Sequence, residues 1–326
     1  MGTAEQPLFA VTNRLPASAV ELLRAAGEVR IDERETAIPR PDLLELVAGA
    51  SAVLTLLGDR VDEELLAAAG PQLRCVANVA VGYDNVDVAA AERRGVVVTN
   101  TPGVLDDATA DLTMALILAA TRRLAEGDRL VRSGRDWNWG MGFMLGSSLQ
   151  GRRLGIVGLG GIGRWVAQRA RAFGMEIAYH QRNPAPAEVE TALGAERMPL
   201  ERLLVEADVV SLHCPLTPDT HHLIGAAELA AMKPSAVLVN TARGPVVDEA
   251  ALAAALAEGK IAAAGLDVYE REPRVEPRLL ELDNVVLSPH LGSATVETRT
   301  AMAELAARNV ISVLSGQGPL TPVASQ

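Results

Sequence analysis

Cysteine, lysine and aromatic residues are all scarce in this sequence. Cys75 and Cys214 are the only cysteines, and neither has a Cys or His neighbour at the spacing of a zinc site. This argues against a disulfide framework and against a cysteine-based metal centre. Lysine occurs only at positions 233 and 260, so the positive charge is almost all arginine. With a formal net charge of -11 and no basic block, the footprint expected of a protein that binds nucleic acid or anionic lipid is missing. Long apolar runs are missing too. The longest, LTMALILAA at 112–120, is about half a membrane span and is closed by Asp111 and Arg122-Arg123. The opening MGTAEQPLFAVTNRLP has no basic segment followed by an apolar one, so a soluble cytoplasmic protein is expected.

What remains is a chain of 326 residues, 49% hydrophobic, long enough for two domains. Short Val/Ile/Leu/Ala runs alternate with helical patterns almost from end to end, as a parallel sheet covered on both faces requires. Strands are expected at 8–12, 51–57, 73–80 and 96–99, and a second series at 153–158, 175–180, 208–213, 236–241, 262–267 and 285–288. Between the series, NTPGVLDDATADLTMALILAATRRLAEGDRLVRSG opens on a Pro-Gly break and reads as one long linking helix. The final stretch, TVETRTAMAELAARNVISVLSG, is helical in pattern with no strand after it, and is expected to fold back on the first series. The expectation is therefore an α/β protein of two Rossmann-like, doubly wound parallel-sheet domains with a cleft between them. Residues 1–101 plus 291–326 form a discontinuous substrate-binding domain, and 102–290 form a dinucleotide-binding domain.

The stretch RRLGIVGLGGIGRWVAQRARAFGMEIAYHQRNP (152–184) carries the first specific signal. Gly158-x-Gly160-x-x-Gly163 follows an expected strand and opens an expected helix. The first glycine permits a tight turn, the second lets backbone approach a pyrophosphate, and the third lets helix and strand pack closely, with the helix N-terminus facing the anion. In NAD-binding versions an acid about 20 residues into the unit takes the ribose hydroxyls. Here Gln181 stands at that position, followed by Arg182 and Asn183. A carboxylate would repel a 2′-phosphate, whereas Arg182 offers it a guanidinium fork, so NADPH is the favoured cofactor and NADH remains open.

Three further segments, LVNTARGPVVDEAAL around Arg243, AGLDVYEREP around Glu272 and VVLSPHLGSAT around His290, each follow an expected strand of the second series. That is the edge where open α/β sheets place ligands. With VANVAVGYDNVDVAAAERRGVVVTNTPGV, TADLTMALILAATRR, GIVGLGGIG and DVVSLHCPLTPDTHHLI, nearly the whole chain resembles the D-isomer-specific 2-hydroxyacid dehydrogenase family, and within it the glyoxylate and hydroxypyruvate reductases.

The resemblance implies hydride transfer from NAD(P)H to a 2-oxo acid, with His290 as proton donor, Glu272 as its carboxylate partner and Arg243 as the fork for the substrate carboxylate. It also implies substrate contacts from the Val81-Gly82 backbone and the Leu57-Gly58 turn, and cofactor contacts from Thr109, Pro215, Thr241, Asp267, His290 and Gly292, with Asp267 near the carboxamide. One departure stands out: many relatives have a basic residue between the second and third glycines, where this chain has Gly161-Ile162, so phosphate binding rests more on backbone N–H groups. His180, His213, His221 and His222 read as packing or surface residues. Trp137 and Trp139, in DWNWGMGFMLGSS, read as core or interface residues, and a homodimer is implied. No metal, nucleic acid or membrane partner is expected. The alternatives are an NAD(H)-sensing corepressor-like protein, or a formate or phosphoglycerate dehydrogenase.

Overall fold

A computed structural model describes residues 6–34 and 36–323. It divides into two compact units, one comprising the described residues up to Leu105 together with those from Ala294 onward, the other Asp106–Ser293.

In the first unit, strands β1 (Leu8–Val11), β2 (Glu28–Ile31), β3 (Ala52–Thr55), β4 (Cys75–Asn78) and β5 (Val97–Thr99) form a parallel sheet in the order β2-β1-β3-β4-β5. This is the flavodoxin-like doubly wound order. Every residue of β3 and β4 is buried, as expected of strands covered on both faces. Helices Arg40–Val47, Glu63–Ala69 and Val88–Arg93 cover one face with Leu43, Val47, Leu65, Leu66, Ala90 and Ala91. Asp62 and Asp87 begin two of them by accepting from the third backbone N–H onward, at 3.1 and 2.8 Å. Helix Ala17–Ala26 packs on the 19-residue helix Val296–Leu314, which also lies against β3 and β4. Pro322–Val323 adds a short antiparallel edge beside β5, where proline costs the ladder nothing essential.

The second unit holds β6 (Arg153–Val157), β7 (Glu176–His180), β8 (Ala195–Arg197), β9 (Val209–Leu212), β10 (Val237–Asn240), β11 (Ala263–Leu266) and β12 (Val285–Leu287). All are parallel, in the order β12-β11-β10-β9-β6-β7-β8. The chain winds outward from β6 to β8 and then returns to the other side at β9. The reversal lies between β6 and β9, whose last residues Val157 and Leu212 are in register. Loops leaving these two strands part to opposite faces and leave a crevice at that point. Helices Asp106–Thr121 and Gly161–Ala172 cover one face through Ala110, Met114, Ile117, Val166 and Ala170. Leu203, Leu229, Leu252 and Leu256 cover the other.

Two sequence expectations need correction. The linking segment is not one helix: Asp106–Thr121 stops, Arg123 takes a left-handed φ of 53°, and Leu124–Arg132 follows with no buried residue. Helical periodicity continues across the break, whereas the buried residues end with the first helix. Strands β2 and β8 were not expected, and Pro322–Val323 overturns the expectation that no strand follows the last helix; all three are edge strands. Their sequences EVRI, AER and PV are partly solvated and lack the continuous apolar run of a central parallel strand. Among the described residues no helix is long and apolar enough to cross a membrane.

Asn309 ties the chain end to the first unit. It is fully buried; its Nδ2 donates to Leu305 O (3.0 Å) and Thr321 Oγ1 (2.9 Å), and its Oδ1 accepts from Leu320 N (2.9 Å) and Thr321 N (3.0 Å). Asn309→Ala removes four part-buried hydrogen bonds, and is expected to cost about 2–4 kcal/mol in urea unfolding. A loss under about 0.5 kcal/mol would show that the amide does not hold the terminal segment.

Candidate active site

The glycine turn lies at the reversal point, and its three glycines have separate reasons to lack side chains. Gly158 has φ +97°, and a β-carbon on it would lie 2.8 Å from His213 O and 2.9 Å from Cys214 N, at the end of β9. A β-carbon on Gly163 would overlap Gly158 O, so helix and turn could not close. Gly160 faces open space, and no side chain caps the helix it precedes. The turn thus leaves backbone N–H groups at a helix N-terminus accessible from its open side, which fits a dinucleotide pyrophosphate. Gly161 and Ile162 form the first helical turn.

Gln181 directly follows β7, its Oε1 accepting from Leu159 N at 2.9 Å. The amide thereby braces the glycine turn. Arg182 and Asn183 are exposed, and among the described residues nothing engages the Arg182 guanidinium. Arg197, which sequence reading did not single out, donates from Nη2 to Gln181 O (3.1 Å) and Arg182 O (2.7 Å). It holds the backbone from which Arg182 projects. Only its position in space beside the β7 exit marks it.

The second cluster assembles at the ends of β10, β11 and β12. The buried Asn240 shapes the exit of β10, donating to Arg243 O (2.9 Å) and accepting from Ala242 N (3.0 Å). Arg243 does not cap the helical turn that follows; its Nη1 donates to Ala242 O at 2.8 Å. Gly244 has no room for a β-carbon, which would overlap the Tyr269–Glu270 peptide, so the Arg243 loop lies directly on the exit of β11.

There Glu272 Oε1 accepts from Tyr269 N at 3.0 Å and Oε2 meets His290 Nδ1 at 2.8 Å. Burial by itself would raise the Glu272 carboxyl. The His290 hydrogen bond and charge, the Tyr269 N–H and the Arg243 guanidinium outweigh burial and hold it below the usual carboxylate range. Glu249, another residue the sequence did not single out, is buried and accepts from the backbone N–H of both Glu270 and Glu276, the latter at 3.1 Å. It fixes the segment on either side of Glu272.

Asp267 sits beneath His290. Its Oδ1 accepts from Ser288 Oγ (2.6 Å) and Leu291 N (2.7 Å), its Oδ2 from Gly292 N (2.8 Å), and its carbonyl from His290 N (2.8 Å). Thr109, buried, lies beside Gly292, and Thr113 Oγ1 bridges the Thr109 carbonyl (2.8 Å) and Thr241 Oγ1 (2.9 Å). Pro215 is exposed on the loop after β9.

Of the other histidines, His180 faces Met198 O at 3.2 Å. His222 has a carboxylate partner that the sequence did not reveal, Glu270 Oε1 at 3.1 Å, and its ring lies against that of His221, centroids 4.1 Å apart and planes tilted by 31°. Trp137 and Trp139 are 52% and 77% exposed, which removes the core reading for both.

In the first unit, the Leu57-Gly58 turn and the Val81-Gly82 loop follow β3 and β4. Asn78 Nδ2 donates to Gly82 O (2.8 Å), and Asn100 Nδ2 to Val81 O (2.8 Å). Asn85 Nδ2 donates to Leu56 O (3.1 Å) and Asp59 O (2.9 Å). The carbonyls of both loops are thus held from behind, while among the described residues nothing accepts from the Val81 and Gly82 amides.

This fold, with a glycine turn at its reversal point, defines the second unit as a dinucleotide-binding α/β domain. Residues 114–292 match the family model described as D-isomer specific 2-hydroxyacid dehydrogenase, NAD binding domain, and the chain belongs to that family of enzymes. A glyoxylate reductase of Thermococcus litoralis is 49% identical over 319 residues, 96% of each chain. A solved structure of a Thermus thermophilus protein is 46% identical with a TM-score of 0.91, covering 97% of this chain and all of that one. The NADPH-dependent glyoxylate/hydroxypyruvate reductase of Sinorhizobium meliloti, solved with NADP and malonate, is 38% identical with a TM-score of 0.84, covering 98% and 97%.

His213, at the reversal point, gives a pH signature. Its Nε2 meets Ser211 Oγ at 2.8 Å, its Nδ1 is sealed from solvent without a partner among the described residues, and burial pushes its pKa down to about 3. The unfolded chain takes a proton here near pH 6.5 and the folded chain does not, so stability present above that pH is lost as pH falls towards about 3. His213→Asn is expected to flatten the melting temperature between about pH 7 and pH 4.5 relative to the native protein. Equal slopes would refute this.

Proposed function

We propose that the protein reduces a small 2-oxo acid of the glyoxylate or hydroxypyruvate type to the D-2-hydroxy acid, using NADPH in preference to NADH. The observation that carries the reading is the 2.8 Å His290–Glu272 pair on strand ends of the dinucleotide-binding sheet. The names of the relatives point the same way. When bound, the cofactor supplies a hydride. Glu272 engages His290 Nδ1 and fixes the ring, which leaves Nε2 to deliver a proton to the substrate's carbonyl oxygen. Arg243 binds the substrate carboxylate and stabilises negative charge at the carbonyl oxygen. The Val81 and Gly82 amides and the Leu57-Gly58 turn are the first unit's substrate-binding groups. Residues up to 101 and from 291 onward thus act as the substrate domain and 102–290 as the cofactor domain.

Gly158, Gly160, Gly161, Ile162 and Gly163 would hold the pyrophosphate, and Thr109, Pro215, Thr241, Asp267 and Gly292 the nicotinamide half. Gln181 brings no negative charge to the ribose position, and the unengaged Arg182, with Asn183 beside it, takes the 2′-phosphate. The assembly we assign is a homodimer with the exposed Trp137 and Trp139 in its contact; a monomeric mass in sedimentation at micromolar concentration would refute it.

Initial rates with glyoxylate and hydroxypyruvate, each with NADPH and NADH, test the chemistry. His290→Ala is expected to lower kcat about 10²- to 10⁴-fold while NADPH still binds. Arg243→Ala should lower kcat/KM chiefly through capture of the oxo acid. Arg182→Ala is expected to weaken NADPH roughly 10-fold or more and to leave NADH nearly unchanged. Near-native turnover in His290→Ala would end the assignment of the proton donor, and an NADPH affinity untouched in Arg182→Ala would end the cofactor preference.

A further inference from the structure

The helix Gly161–Ala172 has no capping side chain, yet its N-terminus has a negative neighbour. Asp106, the first residue of the helix Asp106–Thr121, points its carboxylate at Gly161: a β-carbon built there would overlap Asp106 Oδ2. Glycine at 161 is therefore what leaves room for the carboxylate in this position. The two residues are far apart in sequence and meet only because the two helices pack side by side on one face of the sheet.

Asp106 is half-buried, and among the described residues no hydrogen bond or ion pair reaches its carboxylate. The cations on the facing helix are otherwise engaged. Arg169 pairs with Asp107 and with Asp111 (2.6 Å), and Arg164 Nε donates to Leu159 O at 3.2 Å. Burial without a partner pushes the Asp106 carboxyl above its ordinary range. A carboxylate that burial already disfavours becomes costlier still when a second anion arrives at the neighbouring helix N-terminus.

We propose that Asp106 is a built-in competitor for the cofactor diphosphate: its carboxylate lies over Gly161, beside the glycine turn, and it keeps dinucleotide binding loose. The inference rests on the reading that this turn holds the cofactor's diphosphate. It makes Asp106 an affinity-setting residue, with Gly161 as the space that lets it act.

Calorimetric titration of the full-length protein with NADPH and with ADP-ribose tests it, using Asp106→Asn, Asp106→Ala and, as a control, Asp107→Asn, whose carboxylate is paired with Arg169. Both Asp106 variants are expected to bind both ligands roughly three- to tenfold more tightly, and Asp107→Asn within about twofold of the native protein. A gain in Asp106→Ala alone would still support competition, since it removes the group altogether. Unchanged or weaker binding in both Asp106 variants would overturn the proposal and leave the cofactor reading intact. A native protein that binds neither ligand would overturn both.

Discussion

His290 stands at φ +55°, a left-handed conformation that costs a residue with a side chain on the order of 1–2 kcal/mol, and the chemistry assigned to it requires that it stay there. Asp267 supplies the constraint. One carboxylate gathers Ser288, Leu291 and Gly292 while its own carbonyl accepts from His290 N, so four hydrogen bonds converge on one short loop. Two of the carboxylate bonds are to backbone amides and depend on the loop's conformation, so the strain at His290 is offset at the position where it arises. Everything else at this edge is arranged around the resulting ring. Glu272 meets Nδ1, Glu249 fixes the segment carrying Glu272, and Gly244 lets the Arg243 loop rest against that segment.

The cofactor half follows a different logic. There the constraint is space, and side chains are absent where backbone must face an anion. Gly158 is forced by its neighbours after β9, Gly163 by the turn itself, and Gly160 by nothing in the protein, which leaves its surroundings to a ligand. Gln181 shows how one residue changes such a site. Its side-chain oxygen accepts from Leu159 N and brings no negative charge to the exit of β7. Asp106 lies over Gly161, and Arg182 is exposed just after β7.

Much of the site could be read from the sequence where it rests on local pattern. The glycine spacing, the exits of buried strands and the Arg243, Glu272 and His290 segments lie in short stretches whose backbone geometry is dictated nearby. The central strands were legible for the same reason, since burial on both faces writes a continuous apolar run. Edge strands β2 and β8 escaped because one side of each meets solvent, and the helix break at Arg123 escaped because helical periodicity continues across it. Arg197, Glu249 and the His222–Glu270 pair looked like ordinary surface polar residues, with no local pattern to distinguish them.

The sequence alone determined that there would be parallel sheets, a glycine turn after the first strand of the second series, and an arginine, a carboxylate and a histidine at later strand exits. These follow from steric and hydrophobic rules that act over a few residues. Only the tertiary structure decided which of those groups touch: that Glu272 faces His290 Nδ1, that Asp267 clamps the loop below it, and that Asp106 enters the space over Gly161. Those contacts depend on strand order and helix packing, which bring residues together by burying apolar faces and leave no mark on the sequence beside them.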